Sequence, residues 1–238
     1  MRQIVFDLET TGFRFSDGDR IVEIGAVELV NGAITGRTFH TYVNPERDMP
    51  EGAFQVHGLS SAFLADKPVF ADAGVAPAFL DFAGDAQLIA HNGKAFDLPF
   101  LNAELAHAGL RTLDNDLYDT MLVARRKYPG APASLDALCA RFGIDTTKRA
   151  KDGHGALLDS RLLAAVYIEL TGGAQAGLDF ARGVGGDADT VVGARRARQR
   201  PVALPSLVTA AEEAAHAAFV AELGPDSVWA KIGVKSQA

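Results

Sequence analysis

The sequence predicts an α/β fold: a mixed β-sheet flanked by helices, then a flexible linker and a short helical C-terminal tail. Three observations support this prediction. Strand-like runs open the chain, helical patterns follow with a short strand between them, and a glycine- and arginine-rich stretch separates this part from a last helical segment. Strands followed by alternating helices and short strands are typical of a mixed sheet covered by helices.

The first strands are predicted from β-rich composition and alternation. These runs are Arg2–Leu8, Ile21–Val30 and Thr38–Val43. Asn31-Gly32 favours a two-residue turn, so we expect the second and third runs to form a hairpin. A short apolar run, Leu88–His91, predicts a further buried strand.

Helices are predicted where apolar residues recur at helical spacing. They are Pro68–Phe82, Leu98–Ala108, Leu135–Phe142 and Gly155–Leu170. Ser134 is a suitable N-cap for the third of these helices, and Gly143 is a suitable stop. The sequence Thr171-Gly172-Gly173 ends the fourth.

Three parts follow from these patterns: a domain of residues 1–173, a linker of residues 174–200, and a C-terminal segment of residues 201–238. The linker has no sustained apolar period, which predicts flexibility. Thr209 and Glu212 form a capping-box pattern at the start of a last, alanine-rich helix. Such a helix cannot bury enough area to fold alone, so we expect it to pack on the domain or on another protein.

Composition excludes several classes of protein. The chain has 238 residues, of which 48% are hydrophobic and 22% charged, which excludes wholesale disorder. We find no apolar run long enough for a membrane helix, and Asp7 interrupts any signal-peptide core. A single cysteine, Cys139, excludes an internal disulfide framework and a Cys-based zinc cluster. We therefore expect a cytoplasmic protein.

The net charge of −7 argues against a protein that coats nucleic acid by bulk electrostatics. It does not exclude one that handles a few nucleotides at a site where bound cations supply the positive charge.

The first candidate site is the pair Asp7 and Glu9 in the segment FDLETTG (6–12). Residues two apart on a strand face the same side, so the two carboxylates would repel each other. A divalent cation with a preference for oxygen ligands, such as Mg²⁺ or Mn²⁺, would relieve that repulsion. The alternative is a solvated strand end with two unrelated acids.

Two further segments carry candidate residues. Asp97 lies where a helix should begin, and the alternative role there is a plain N-cap. His154 lies in a glycine-flanked loop, with Asp159 on the helix that follows. A mobile histidine beside a fixed carboxylate suits a general base, whereas the alternative is a surface histidine and a helix-face aspartate.

In this order, the three segments resemble the DEDD exonucleases, in the subgroup whose last motif is H-x4-D. The matching segments are FDLETTG (6–12), HNGKAFDLPFLN (91–102) and HGALLD (154–159). The resemblance covers almost the whole predicted domain. Over that length the sequence resembles the proofreading subunits of bacterial replicative polymerases. The sequence departs from the family at Gly93–Ala95, where three residues rather than two separate Asn92 from Phe96-Asp97.

The resemblance implies an RNase H-like fold with a mixed five-stranded sheet. It implies that Asp7, Glu9, Asp97 and Asp159 hold two divalent cations, Mg²⁺ or Mn²⁺, and that His154 is the general base. The reaction would be hydrolysis of the terminal phosphodiester from the 3′ end, releasing nucleoside 5′-monophosphates. The residues that would contact the substrate are Asp7, Glu9, Thr10, His57 and Asp159. For His57 the alternative role is a structural histidine at a turn.

The resemblance also implies partners beyond the single-stranded 3′ end of DNA. Gln175, Leu178 and Phe180 form the pattern Q-x-x-L-x-F, which resembles the peptide that binds the bacterial β sliding clamp. These residues could instead be the last packed part of the domain. The segment from residue 201 matches the position of the family's tail that binds the polymerase α (catalytic) subunit, with Phe219 and Trp229 as anchors. These partners would place the protein in the nucleoid-associated replisome.

Two other functions remain open. One is a stand-alone exonuclease that trims RNA, of the RNase T or oligoribonuclease type, but such an enzyme needs neither the tail nor the clamp-like peptide. The other is a non-catalytic scaffold between polymerase and clamp, which has no need for the four acids and the histidine.

Overall fold

The computed structural model describes residues 1–172, 208–224 and 228–229. The chain divides into two compact units, Met1–Asp179 and Phe180–Ala238. The clamp-like residues Gln175, Leu178 and Phe180 lie outside the described residues, so their role stays a prediction.

Within the described part of the chain, five strands form one mixed sheet in the order β3-β2-β1-β4-β5. The strands are β1 (Arg2–Thr10), β2 (Ile21–Val30), β3 (Ala33–Tyr42), β4 (Gln87–Ala90) and β5 (Leu117–Asp119). The first three strands pair antiparallel, whereas β4 pairs parallel with β1 and β5 pairs parallel with β4. The predicted mixed sheet is therefore confirmed.

The first unit also contains a short 3₁₀ turn and a series of helices. They are the turn Phe15–Asp17 and the helices α1 (Glu51–His57), α2 (Ser61–Leu64), α3 (Ala76–Ala83), α4 (Asp97–His107), α5 (Thr120–Lys127), α6 (Leu135–Phe142), α7 (Thr147–Asp152) and α8 (Ala156–Leu170). Ser134 caps α6 by accepting the Ala137 N–H at 3.2 Å, as predicted. Gly143 ends that helix in the left-handed conformation.

The central strand β1 is buried on both faces, and its alternation divides the core in two. Ile4 and Phe6 belong to one apolar cluster, which includes residues of α3 and α4. Val5 belongs to a second cluster with Leu138 of α6 and Leu163 of α8. Side chains that follow Val5 on its face of β1 therefore point toward the side of the sheet that α8 covers.

The hairpin between β2 and β3 is confirmed. Asn31 and Gly32 have φ values of 52° and 79°, as a tight turn with two left-handed residues requires. The third strand begins at Ala33, five residues before the predicted start at Thr38, because the turn lets pairing with β2 begin at once.

The predicted helix Pro68–Phe82 is wrong in its first half, since α3 covers only Ala76–Ala83. Val69 instead forms a bridge with Asn44, and the Asp72 side chain accepts the Gly74 N–H at 3.0 Å. A side-chain hydrogen bond of this kind stabilises a turn in competition with the helix.

The second unit contains α9 (Ala210–Glu222) among its described residues. Thr209 and Glu212 form the predicted capping box. None of the residues of α9 is buried, and Phe219 and Trp229 are 58% and 56% exposed. No helix in the described ranges combines the length and hydropathy that crossing a bilayer demands.

Candidate active site

Asp7 and Glu9 lie near the end of β1, on the same face as Val5. Asp7 is half-buried and Glu9 is only 8% exposed. Backbone pairing places Gly25 of β2 opposite Asp7 and Glu23 opposite Glu9. The strand thus presents both predicted acids to the space beneath the start of α8.

Gly25 determines how closely α8 approaches this face of the sheet. A Cβ at position 25 would lie 2.1 Å from the backbone nitrogen of Leu157, so only glycine leaves room for the start of the helix. The Ser160 hydroxyl donates to the Gly25 carbonyl at 2.9 Å and fixes the contact. This close packing brings Asp159, which is 4% exposed, to the carboxylates of β1.

Asp97 is the first residue of α4 and is 3% exposed. The N-cap position belongs to Phe96, so the alternative role of Asp97 as a plain N-cap is wrong. Asp97, Glu9 and Asp159 all lie near enough to the Asp7 carboxyl for their charges to raise its pKa, in addition to the effect of burial.

The loop that carries Asp97 is organised by Asp119, at the end of β5. Its Oδ1 accepts the N–H groups of Asn92 and Leu122, and its Oδ2 accepts that of Lys94 at 3.1 Å. Asn92 adopts a left-handed φ of 65°. The additional residue in Gly93–Ala95 is therefore accommodated by a turn around the Asp119 carboxylate.

His154 lies in the loop between α7 and α8, as predicted, and its side chain is 42% exposed. Its Nδ1 atom lies 3.2 Å from Asp159 Oδ2. One ligand atom each from Glu9, His154 and Asp159 lies within 4.8 Å of the others, which is close enough to share a cation.

Arg149 of α7 also enters this group. Its Nε lies 2.7 Å from Asp159 Oδ1, and its Nη2 lies 2.8 Å from both Asp159 Oδ2 and His154 Nδ1. Its Nη1 forms an ion pair with Asp136 of α6. The Arg149 side chain is 10% exposed, so this is a largely buried contact between a cation and a predicted ligand.

Glu23 adds a fifth buried carboxylate beside Glu9. It is 3% exposed, and its Oε1 lies 2.7 Å from His40 Nε2. Glu23 could not be predicted from the sequence, because it lies in a predicted strand without a second acid two residues away. Arg149, Asp119 and Gly25 could not be predicted either, because they act through contacts between residues distant in the sequence.

The carboxylates shift one another's protonation strongly. Burial and the neighbouring Asp97, Glu9, Asp159 and Glu23 raise the pKa of Asp7 well above its ordinary value. Burial, Glu23 and Asp159 raise the pKa of Glu9 to about 8, although Arg149 opposes the increase. Burial also raises the pKa of Asp97 to about 7, against hydrogen bonds from the backbone of Asp97 and Leu8.

A site with this charge distribution fits divalent cations. Buried carboxylates that repel one another are stabilised when a cation coordinates them together, and carboxylate oxygens are the ligands that Mg²⁺ and Mn²⁺ prefer. Asp7, Glu9, Asp97 and Asp159 could hold such ions, with His154 at the exposed side of the group.

A cavity of about 340 Å³ opens directly beside Glu9. Its walls are the segment Leu8–Phe13, one side of α1, and Phe96. Thr10 and His57, two of the residues predicted to contact the substrate, line it; that contact stays a prediction. His57 Nδ1 accepts the Leu59 N–H at 3.0 Å, and its Nε2 atom is buried. Burial lowers the pKa of His57, which favours a neutral ring.

Comparison with known proteins gives the same family as the motifs. The sequence matches the exonuclease family (RNase_T) over residues 4–167. The chain is 50% identical over 179 residues to the DNA polymerase III subunit epsilon of Rickettsia felis, covering 74% of this chain and 76% of the relative. It is 45% identical over 188 residues to the corresponding subunit of Escherichia coli, covering 76% and 75% of the two chains.

A solved structure supports the assignment. Exonuclease X in complex with 5′ overhanging duplex DNA superposes with a TM-score of 0.56 at 26% identity, covering 71% of this chain and 90% of that chain. The resemblance predicted from the three motifs is therefore confirmed. The chain belongs to the exonuclease family, among the DNA polymerase III epsilon subunits.

Proposed function

We propose that this chain is the proofreading 3′–5′ exonuclease of a bacterial DNA polymerase III, which removes mispaired nucleotides from the 3′ end of DNA. The observation that carries the proposal is the convergence of Asp7, Glu9, Asp97 and Asp159 beside a nucleotide-sized cavity. They come from β1, α4 and α8, and their mutual repulsion is reflected in the raised pKa of Asp7.

The four acids would hold two divalent cations, Mg²⁺ or Mn²⁺. When bound, such ions supply positive charge that lowers the pKa of the attacking water and offsets charge on the leaving 3′ oxygen. His154 would accept the proton of that water, because it lies at the exposed edge of the acid group and sits on a loop between two helices. Phosphodiester hydrolysis would then release a nucleoside 5′-monophosphate.

The cavity beside Glu9 would hold the terminal nucleotide. Thr10 and His57 contribute polar atoms, while Val56 and Phe96 provide apolar walls for a base and sugar. A pocket that takes one unpaired nucleotide favours mismatched ends, because their strands separate at lower cost than paired ones.

The second unit would bind the polymerase α subunit. Phe219 and Trp229 are more than half exposed, as expected of anchors for another protein. The peptide Gln175–Phe180 would bind the β sliding clamp and keep the nuclease in the replisome at the bacterial nucleoid. The relatives named epsilon subunits favour this arrangement over a stand-alone RNA-trimming enzyme.

The proposal is tested with end-labelled oligonucleotides and the full chain in the presence of Mg²⁺ or Mn²⁺. We expect the wild type to shorten a mismatched DNA primer from its 3′ end faster than a matched primer. Asp7→Ala should abolish this activity, whereas Asp114→Ala, a change at an exposed loop residue, should leave it intact. His154→Ala should lower the rate by about 10²–10⁴-fold, the usual effect of losing a general base.

Other outcomes would contradict the proposal. Activity on RNA alone would indicate a trimming enzyme. Absence of activity on both substrates would indicate a scaffold, and an active Asp7→Ala variant would remove the acid group from the reaction.

A further inference from the structure

Arg149 contacts three polar side chains: Asp159 and His154 at the candidate site, and Asp136 on α6. On the inner side, its guanidinium donates a hydrogen bond to Asp159 Oδ2, lies 2.7 Å from Asp159 Oδ1 and lies 2.8 Å from His154 Nδ1. On the outer side, it pairs with Asp136, whose side chain is 68% exposed. A planar guanidinium suits this because its donors form a rigid fork.

The inner contacts occupy the atoms that a cation would need. Both oxygens of Asp159 and one nitrogen of His154 face Arg149, and the same two residues form the candidate ligand group with Glu9. The lone pairs of Asp159 that face the guanidinium are not free to coordinate a divalent cation. Arg149 and the ion therefore compete for Asp159.

The contact also has a structural value without the ion. Asp159 is 4% exposed and lies among other carboxylates, and a buried charge of this kind needs a partner of opposite sign. Arg149 supplies that partner. Its ion pair with the exposed Asp136 gives it a second position to which it can withdraw.

We propose that Arg149 is a positioning residue that holds Asp159 and His154 in place until a divalent cation binds, and that the cation displaces it. The inference rests on the proposed metal-dependent function. It predicts that Arg149 weakens metal binding while stabilising the metal-free protein.

The test is a titration of the full chain with Mn²⁺, in which electron paramagnetic resonance measures the free ion. We expect Arg149→Gln to bind Mn²⁺ about ten- to a hundredfold more tightly than the wild type, since the ion pair and its charge-assisted hydrogen bond to Asp159 no longer compete. Arg161→Gln removes the same charge from an exposed position on α8. That control should bind Mn²⁺ within about twofold of the wild type, because exposed charges are screened.

A second readout separates this role from a purely structural one. Arg149→Gln should lower the melting temperature in EDTA and lower it much less in saturating Mn²⁺. Arg149→Lys, which keeps the charge without the fork, should bind Mn²⁺ with an affinity between the wild type and Arg149→Gln. It also serves as the test if the glutamine variant does not fold.

The inference is overturned if both Arg149 variants bind Mn²⁺ no more tightly than the wild type, or if the loss of melting temperature is the same with and without Mn²⁺. A wild-type protein that binds no Mn²⁺ would contradict the proposed function itself.

Discussion

The ionised carboxylate of Glu9 lowers the stability of the metal-free protein. It is buried opposite Glu23 and near Asp159, and these surroundings raise its pKa to about 8 from the ordinary value of 4.5. Between these two pH values the folded protein binds more protons at Glu9 than the unfolded chain does. The free energy of unfolding of the metal-free protein should therefore fall as the pH rises.

We predict a loss of stability between about pH 5 and pH 8 in EDTA, with a slope of up to about 1.4 kcal/mol per pH unit from this group. Glu9→Gln should flatten the dependence and make the metal-free protein more stable than the wild type at pH 8. Urea denaturation across this pH range measures both effects. Glu169→Gln, at an exposed position of α8, is the control and should leave the slope unchanged. A wild-type stability that rises over the same interval would contradict the prediction.

Asp119 holds the loop that leads to Asp97, although it does not belong to the predicted acid group. Asp119→Asn can keep the two N–H contacts to Oδ1, but it replaces Oδ2, which accepts the Lys94 N–H, by a donor. We expect a loss of about 1–3 kcal/mol of stability, typical of an unsatisfied buried donor. We also expect a lower kcat, because the loop that positions Asp97 would move.

Urea denaturation and exonuclease rates measure these two effects of Asp119→Asn. Asp114→Asn, in an exposed loop, should change neither quantity. An Asp119→Asn enzyme with wild-type kcat would show that the loop does not depend on this contact.

Single site residues could be predicted where a short sequence pattern determines the direction of the side chains. Asp7 and Glu9 were predictable because a spacing of two on a strand determines a shared face. Glu23 and Arg149 were not predictable, because their place at the site depends on strand register and on the position of α7, which no local pattern specifies.

At the scale of elements, the packing of α8 on β2 determines the site. Gly25→Ala would place a methyl group 2.1 Å from the Leu157 nitrogen and 2.2 Å from the Ala156 carbonyl carbon, both of which are backbone atoms that cannot rotate away. We expect a loss of about 1–3 kcal/mol or more, as for other overpacked cores, together with a lower exonuclease rate because Asp159 moves with the helix.

Gly52→Ala is the matched control for stability. A Cβ at position 52 meets nothing within 4 Å, and the residue lies in α1, so stability should stay equal or increase slightly. Thermal unfolding of both variants checks the contrast. A Gly25→Ala protein as stable as the wild type would show that α8 can shift without loss.

Elements with strong periodicity or clear caps were predicted well. Ser134 and Gly143 bound α6, and Asn31-Gly32 closes the hairpin as expected. The strand β5 has three residues and α7 has six, too few for a hydrophobic period to show. The start of α3 was misplaced because the Asp72 turn competes with the helix through a side-chain contact.

At the scale of the whole molecule, we predict that nuclease activity and binding to the polymerase belong to different units of the chain. All described residues of the acid group and of the cavity beside Glu9 lie in Met1–Asp179. We expect a fragment of residues 1–179 to hydrolyse mismatched DNA ends at about the wild-type rate and to lose binding to the polymerase α subunit.

Primer-shortening assays and pull-down with purified α subunit measure the two properties. In the full chain, Phe219→Ala should weaken binding to α without changing the exonuclease rate. A fragment that still binds α with wild-type affinity would contradict the proposed role of the tail.

The acid group has one further consequence. Asp7 belongs to the first strand of the domain and Asp159 to its last described helix, so the ligands span nearly the whole domain in the order of its synthesis. The acid group is therefore complete only after α8 has left the ribosome and packed against Gly25. Under the proposed function, a partly synthesised chain would have no nuclease activity.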